Sequence, residues 1–133
     1  MMARPDALRS RLLTATLPGR QRHQTLLRAV LAAYAADLSI QTIGVFGSVA
    51  RDDCDERSDI DLDVVVFPEA LPEALGKIQH LIDHLNAHGL PVLLTAWDED
   101  EASAEILLAS FDRLDITLHA SQTSKSEVLR DLI

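Results

Sequence analysis

Asp59, Asp61 and Asp63 alternate with Ile60, Leu62 and Val64 in the run Ser-Asp-Ile-Asp-Leu-Asp-Val-Val-Val. Aspartate has poor strand propensity and is costly to desolvate unless it is paired or coordinates a metal. Side chains on a strand alternate faces, so the three carboxylates line one face and the apolar residues the other. Three like charges on one short edge repel, and a divalent cation is the simplest partner that makes the arrangement favourable. The acids imply a metal.

A second feature precedes them. The apolar run Ile43-Gly44-Val45-Phe46 enters Gly47-Ser48-Val49-Ala50-Arg51, and ten residues separate Ser48 from Asp59. Two strand-like runs thus flank a Gly-Ser turn and a polar loop. Another acid embedded in an apolar run is Asp115, between Leu114 and Ile116.

These residues need elements to hold them. A helix is expected over about 21–37, with Leu27, Val30, Leu31, Tyr34 and Leu38 on one face, leading into a strand over about 41–47. After the acidic strand, Pro72 suits the first turn of a helix. Its apolar stripe is Ala74, Leu75, Ile78, Leu81, Ile82 and Leu85, and Gly89 fits the left-handed position that ends it. A strand from Leu90 to Trp97 follows. Asp98-Glu99-Asp100-Glu101 then reads as the acidic first turn of a helix reaching about Ser110. A strand from Leu114 to Ala120 carries Asp115. Short helices are also expected over 5–15 and from Ser124 to Ile133. The class is α/β or α+β: a small mixed sheet of about four strands backed by helices.

The whole chain narrows the options. At 133 residues it fits one domain, and 47% apolar with 25% charged residues suits a globular protein. One cysteine, Cys54, excludes an internal disulfide, and no run reaches the roughly 20 apolar residues of a membrane span, so a cytoplasmic setting is expected. The net charge of -9 is uneven: residues 1–28 hold six arginines against one acid, leaving six basic and twenty acidic residues beyond them. An acidic body does not suit a protein that grips long nucleic acid by its phosphates. The basic arm over 1–19 reads first as a solvated helix face. His80, His84 and His88 share a helical ridge off the apolar stripe, which favours a solvated face over a metal site. Trp97 reads as a partly buried core aromatic rather than a base-stacking platform.

Gly47-Ser48, the ten-residue spacer and Asp59-Ile60-Asp61 together resemble the signature of the nucleotidyltransferase superfamily typified by DNA polymerase beta. The extended form, Gly-Ser-Val-Ala-Arg with Ser-Asp-Ile-Asp-Leu, is similar to the bacterial branch of minimal and antibiotic nucleotidyltransferases. The close match covers about 24 residues. The resemblance implies one nucleotidyltransferase domain over 1–133. It also implies transfer of a nucleoside monophosphate, AMP by preference, from a nucleoside triphosphate to a hydroxyl, with release of pyrophosphate. Two Mg2+ ions held by a few carboxylates would stabilise the charge at the attacking and leaving oxygens.

On that resemblance Asp59 and Asp61 are metal ligands, and a third carboxylate on a neighbouring strand also ligates and takes the acceptor's proton. Asp115 is the candidate for the third position and Asp112 the reserve. Gly47 lets backbone approach a triphosphate, Ser48 and the amides after it can donate to its oxygens, and Arg51 sits one turn on. Arg51 paired with Asp52, Asp55 or Glu56 is an equally simple reading. Asp63 departs from the usual family pattern, in which that position is small or apolar, and is not expected to be a direct ligand.

The resemblance implies as acceptor a small molecule or a protein side chain. Minimal members act as antitoxins on a helical HEPN-type partner, and antibiotic-modifying members complete the acceptor pocket with a helical region or a dimer partner. A homodimer therefore fits, and neither long nucleic acid nor membrane is expected as a partner. The alternative is a catalytically idle nucleotidyltransferase-fold module that neutralises a protein partner by contact. Binding alone would not need Gly47, Ser48, Asp59 and Asp61.

Overall fold

The computed structural model of the chain describes residues 17–51, 55, 58–120 and 130–131. Helix α1 (Gln21–Tyr34) leads to β1 (Ile40–Phe46), the short helix α2 (Gly47–Arg51) and β2 (Ile60–Val66). A 3-10 turn (Pro68–Glu73) runs into α3 (Ala74–Ala87), and then β3 (Val92–Asp98), β4 (Ser103–Leu108), β5 (Arg113–His119) and β6 (Arg130–Asp131) complete the sheet. The strand order is β3-β4-β5-β2-β1-β6. Among the described residues only β2 and β5 pair in parallel, and the other neighbours are antiparallel.

The sheet has two unlike faces because its strands alternate. Leu62 and Val64 on β2, Leu114, Ile116 and Leu118 on β5, and Ala104, Ile106 and Leu108 on β4 are all buried. They form one core with Leu26, Leu27, Val30 and Leu31 of α1 and Ile78, Leu81 and Leu85 of α3. The helices therefore cover the apolar face, and the acidic face is left for chemistry. At the far end of the helix pair, Lys77 Nζ donates to Asp37 Oδ2 and to Ser39 Oγ, both at 2.6 Å, while the Tyr34 hydroxyl donates to the Lys77 carbonyl at 2.8 Å. These bonds lock the end of α1 to the start of α3.

Six of the expected elements stand close to their expected limits: α1, β1, β2, α3, β3 and β5. Gly89 takes φ +78 just past α3. The helix expected after Asp98 is corrected. Glu99–Ala102 is the turn between β3 and β4, in which the Glu101 amide donates to Asp98 Oδ1 at 3.3 Å, and residues 103–108 are a strand. Ala104, Ile106 and Leu108 are buried at a period of two. A helix would put Ile106 on the opposite side from Ala104 and Leu108. Burying each larger side chain contributes about 1.5–3 kcal/mol, more than the roughly 0.7 kcal/mol by which helix propensities differ among ordinary residues.

Among the described residues the sheet accordingly has six strands, against about four expected. Over Arg130–Asp131 the expected C-terminal helix gives way to β6, which pairs with Gly44–Val45 and satisfies edge groups of β1. The rest of that helix, and the one expected over 5–15, lie outside the described residues. Among the described residues no helix is long and apolar enough to cross a membrane.

Candidate nucleotidyl-transfer site

The parallel register of β2 and β5 sets Ile60 against Leu114, Asp61 against Asp115 and Leu62 against Ile116. Asp61 and Asp115 are therefore cross-strand partners on the acidic face. The same row continues through Glu105 of β4, opposite Asp115, to Ala96 of β3, opposite Glu105. On the other side Phe46 of β1 pairs with Asp61, so α2 starts beside that carboxylate. Gly47, with φ +77, opens α2, and a Cβ built there would lie 2.7 Å from Asp61 Oδ2. Only glycine leaves room here for the carboxylate and the turn together. Ser48 follows half-buried, and Arg51 ends α2 with an exposed side chain.

Crowding of acids at a partly buried spot raises their proton affinity. Asp61 is pushed up to about 6, first by burial and then by the charges of Asp115 and Asp59. Asp115 is also raised, by burial above all, although Arg113 pulls it the other way. Asp115 Oδ1 is buried and has no hydrogen-bond donor among the described residues.

Arg113 lies at the edge of this row. Its Nη2 is 3.0 Å from Asp59 Oδ2 and 3.3 Å from Asp115 Oδ2. It stands two residues before Asp115 on the same strand, so the period of two that singles out Asp115 also places Arg113 on the acidic face. That period is its signal in the sequence, which the acids alone do not carry. Glu105 was hidden by the helical reading of its segment.

His23 is another residue that no motif marks. It is buried in the first turn of α1, where its Nδ1 accepts from the Arg20 amide at 3.0 Å and its Nε2 donates to the Ser58 carbonyl at 2.9 Å. That bond ties α1 to the residue immediately before Asp59 and so fixes how the chain enters β2. A lone histidine on a helix carries no periodic signal from which this contact could be read.

The remaining candidates fall outside the row. Asp112 engages Arg22 Nε at 3.2 Å and Ser110 Oγ at 2.7 Å, which ties it to α1 rather than to the carboxylates. Asp63 is buried, with its Oδ1 3.6 Å from His119 Nε2 on β5, and serves the sheet interior. His80 bonds the Ala33 carbonyl at 2.9 Å, and the rings of His84 and His88 stack 4.0 Å apart on the surface of α3. Trp97 packs partly buried against the core, opposite Ala104.

Residues 27–111 match the nucleotidyltransferase domain family. The chain belongs to that family. The matched stretch runs from α1 to the end of β4 and contains Gly47, Ser48, Asp59 and Asp61, in agreement with the polymerase beta-like resemblance of the motif. Asp115 lies beyond it, and the β2–β5 register is what sets it beside Asp61. No curated protein matches the chain.

The donor set suits a hard divalent cation: carboxylate oxygens, a buried Asp115 oxygen without a donor, and a glycine gap beside Asp61. Asp59, Asp61 and Asp115 would hold such an ion. Among the described residues no group of three or more His, Cys, Asp or Glu side chains is already gathered as a metal cage.

Proposed function

We propose that this nucleotidyltransferase moves a nucleoside monophosphate, AMP by preference, from a nucleoside triphosphate to an acceptor hydroxyl in a Mg2+-dependent reaction. The single observation that carries the reading is the in-register pairing of Asp61 with Asp115 beside the Gly47 turn. Carboxylates on neighbouring strands are thereby set next to a backbone that tolerates close approach of phosphate. Bound Mg2+ would supply charge stabilisation at the attacking and leaving oxygens.

The chain's own residues do the rest. Ser48 and the amides opening α2 donate to phosphate oxygens, and Gly47 keeps that approach free of side chain. The Asp115 carboxylate accepts the proton of the acceptor hydroxyl as the new oxygen–phosphorus bond forms and the bond to pyrophosphate breaks. Its raised proton affinity suits that exchange. Asp59, Asp61 and Asp115 would hold the cations, and Arg51, at the end of α2, is the candidate to reach a terminal phosphate. The acceptor is a small molecule or a protein side chain, in the manner of antibiotic-modifying or antitoxin members of the bacterial branch, the latter with a helical HEPN-type partner. The reading places the protein in the cytoplasm and leaves long nucleic acid and membranes outside its partners.

Isothermal titration with Mg-ATP tests this. The wild type binds and Asp59→Ala weakens binding sharply. Absence of binding in the wild type, with no change in Asp59→Ala, returns the protein to an idle module that acts by contact. Labelled nucleoside triphosphates incubated with a cell lysate then reveal the acceptor, and label found only on long RNA overturns the acceptor class.

A further inference from the structure

The oxygens that would hold a cation are the ones that Arg113 grips. Its guanidinium lies 3.0 Å from Asp59 and 3.3 Å from Asp115, and a divalent ion shared by those carboxylates would neutralise the same charge. The two cations exclude each other there by both volume and repulsion. The side chains of Arg113, Asp59 and Asp115 are 43%, 38% and 27% exposed, so this is a solvated ion pair that adds little and yields readily.

A displaced guanidinium has somewhere to go. Glu105 faces Asp115 from β4 and already contributes to the field at Arg113. With Leu94, Thr95, Ala96, Leu107 and Arg113 it lines a groove of about 400 Å3 next to the carboxylate row. Residues directly opposite on neighbouring strands have Cβ atoms about 5 Å apart, and Arg113 is one step diagonal from Glu105, within reach of a long side chain.

We infer that Arg113 is a built-in competitor for the divalent cation at Asp59 and Asp115, with Glu105 its alternative partner once the cation takes those oxygens. The inference rests on the cation-dependent reading above. Arg113 holds the acids together without metal, and cation entry transfers its guanidinium to the Glu105 groove. Arg113 thus sets the concentration at which the site loads.

The test is Mn2+ affinity, measured by electron paramagnetic resonance without nucleotide, for wild type, Arg113→Gln, Arg113→Lys, Glu105→Gln and the Arg113→Gln/Glu105→Gln double variant. Circular dichroism checks that each is folded. Arg113→Gln should bind Mn2+ about 3- to 10-fold more tightly than wild type, with Arg113→Lys between them because lysine keeps the charge on a compact, more strongly hydrated ammonium that competes less well for the carboxylates. Glu105→Gln should weaken Mn2+ binding more in the wild type than in the Arg113→Gln background, because only the former needs a new partner for the guanidinium. Unchanged or weaker binding in folded Arg113→Gln overturns the inference. Equal Glu105→Gln effects in both backgrounds overturn the role of Glu105. Asp61→Asn separates the two levels. Mn2+ binding lost in Asp61→Asn but indifferent to Arg113 sinks only this inference. Binding absent from wild type and Arg113→Gln alike sinks the cation-dependent reading with it.

Discussion

Asp61 of β2 and Asp115 of β5 are direct cross-strand partners, although 53 residues of chain lie between them. Like charges in that relationship destabilise a sheet, so the pair costs folding free energy until a proton or a cation relieves it. Most of the following expectations derive from that relationship.

Asp61→Asn should abolish transfer while the metal-free protein keeps or gains stability, because one of the repelling charges is gone. Thermal unfolding in EDTA, beside a transfer assay, reads both. A marked fall in metal-free stability would mean that the acid serves the fold.

The pH dependence has a definite sign. Because Asp61 is pushed up to about 6 and Asp115 is also raised, the folded state holds protons that the unfolded chain has released. Stability without metal should therefore fall as pH rises from about 4 to above 6. Asp61 is half-buried, and solvent screening reduces its share to about 1–2 kcal/mol. Asp61→Asn should lack this share, so its advantage over wild type in EDTA should widen across that window. Mn2+ affinity should move oppositely and rise through about pH 6, since the ion needs the deprotonated pair. A flat stability difference between wild type and variant would refute the assignment to Asp61.

Asp115→Asn should reduce transfer by about 10^2- to 10^4-fold, the usual contribution of a positioned base, with nucleotide binding less affected. Steady-state kinetics beside a nucleotide titration distinguishes loss of proton transfer from loss of binding. Activity close to wild type would move the base elsewhere.

Gly47→Ala meets two obstacles, a φ of +77 and a Cβ only 2.7 Å from Asp61 Oδ2. We expect a stability loss of about 1–3 kcal/mol in urea denaturation, with transfer lost as Asp61 is pushed from its place. A variant as stable and active as wild type would show that the close approach is not used.

His23→Ala removes the partners of the Arg20 amide and the Ser58 carbonyl. The expected cost is about 2–3 kcal/mol, with amide exchange rising in the stretch before Asp59. Unchanged exchange there would mean that His23 supports α1 alone.

Much of this protein is legible in its sequence for local reasons. The alternation of Asp59 and Asp61 with Ile60 and Leu62 fixes which faces they occupy, and the stripe from Ala74 to Leu85 defines α3, because both patterns follow from backbone periodicity. The Gly47-Ser48 spacing to Asp59 likewise names the family without any coordinates. The segment 98–110 misled because a run of acids suits a helix start and its Ala, Glu and Leu are good helix formers. Pairing with β3 and β5 on both sides outweighed that local preference.

What only the tertiary structure decided is what meets across strands. The β2–β5 register sets Asp115, one candidate among the later acids, against Asp61. Arg113, Glu105 and His23 entered the site only through contacts between segments far apart in the chain. Sequence determines the period of each element, because that is a property of neighbouring residues. Register and neighbour choice depend on burying Leu62, Ile116 and Ile106 in one core, which is a property of the whole fold.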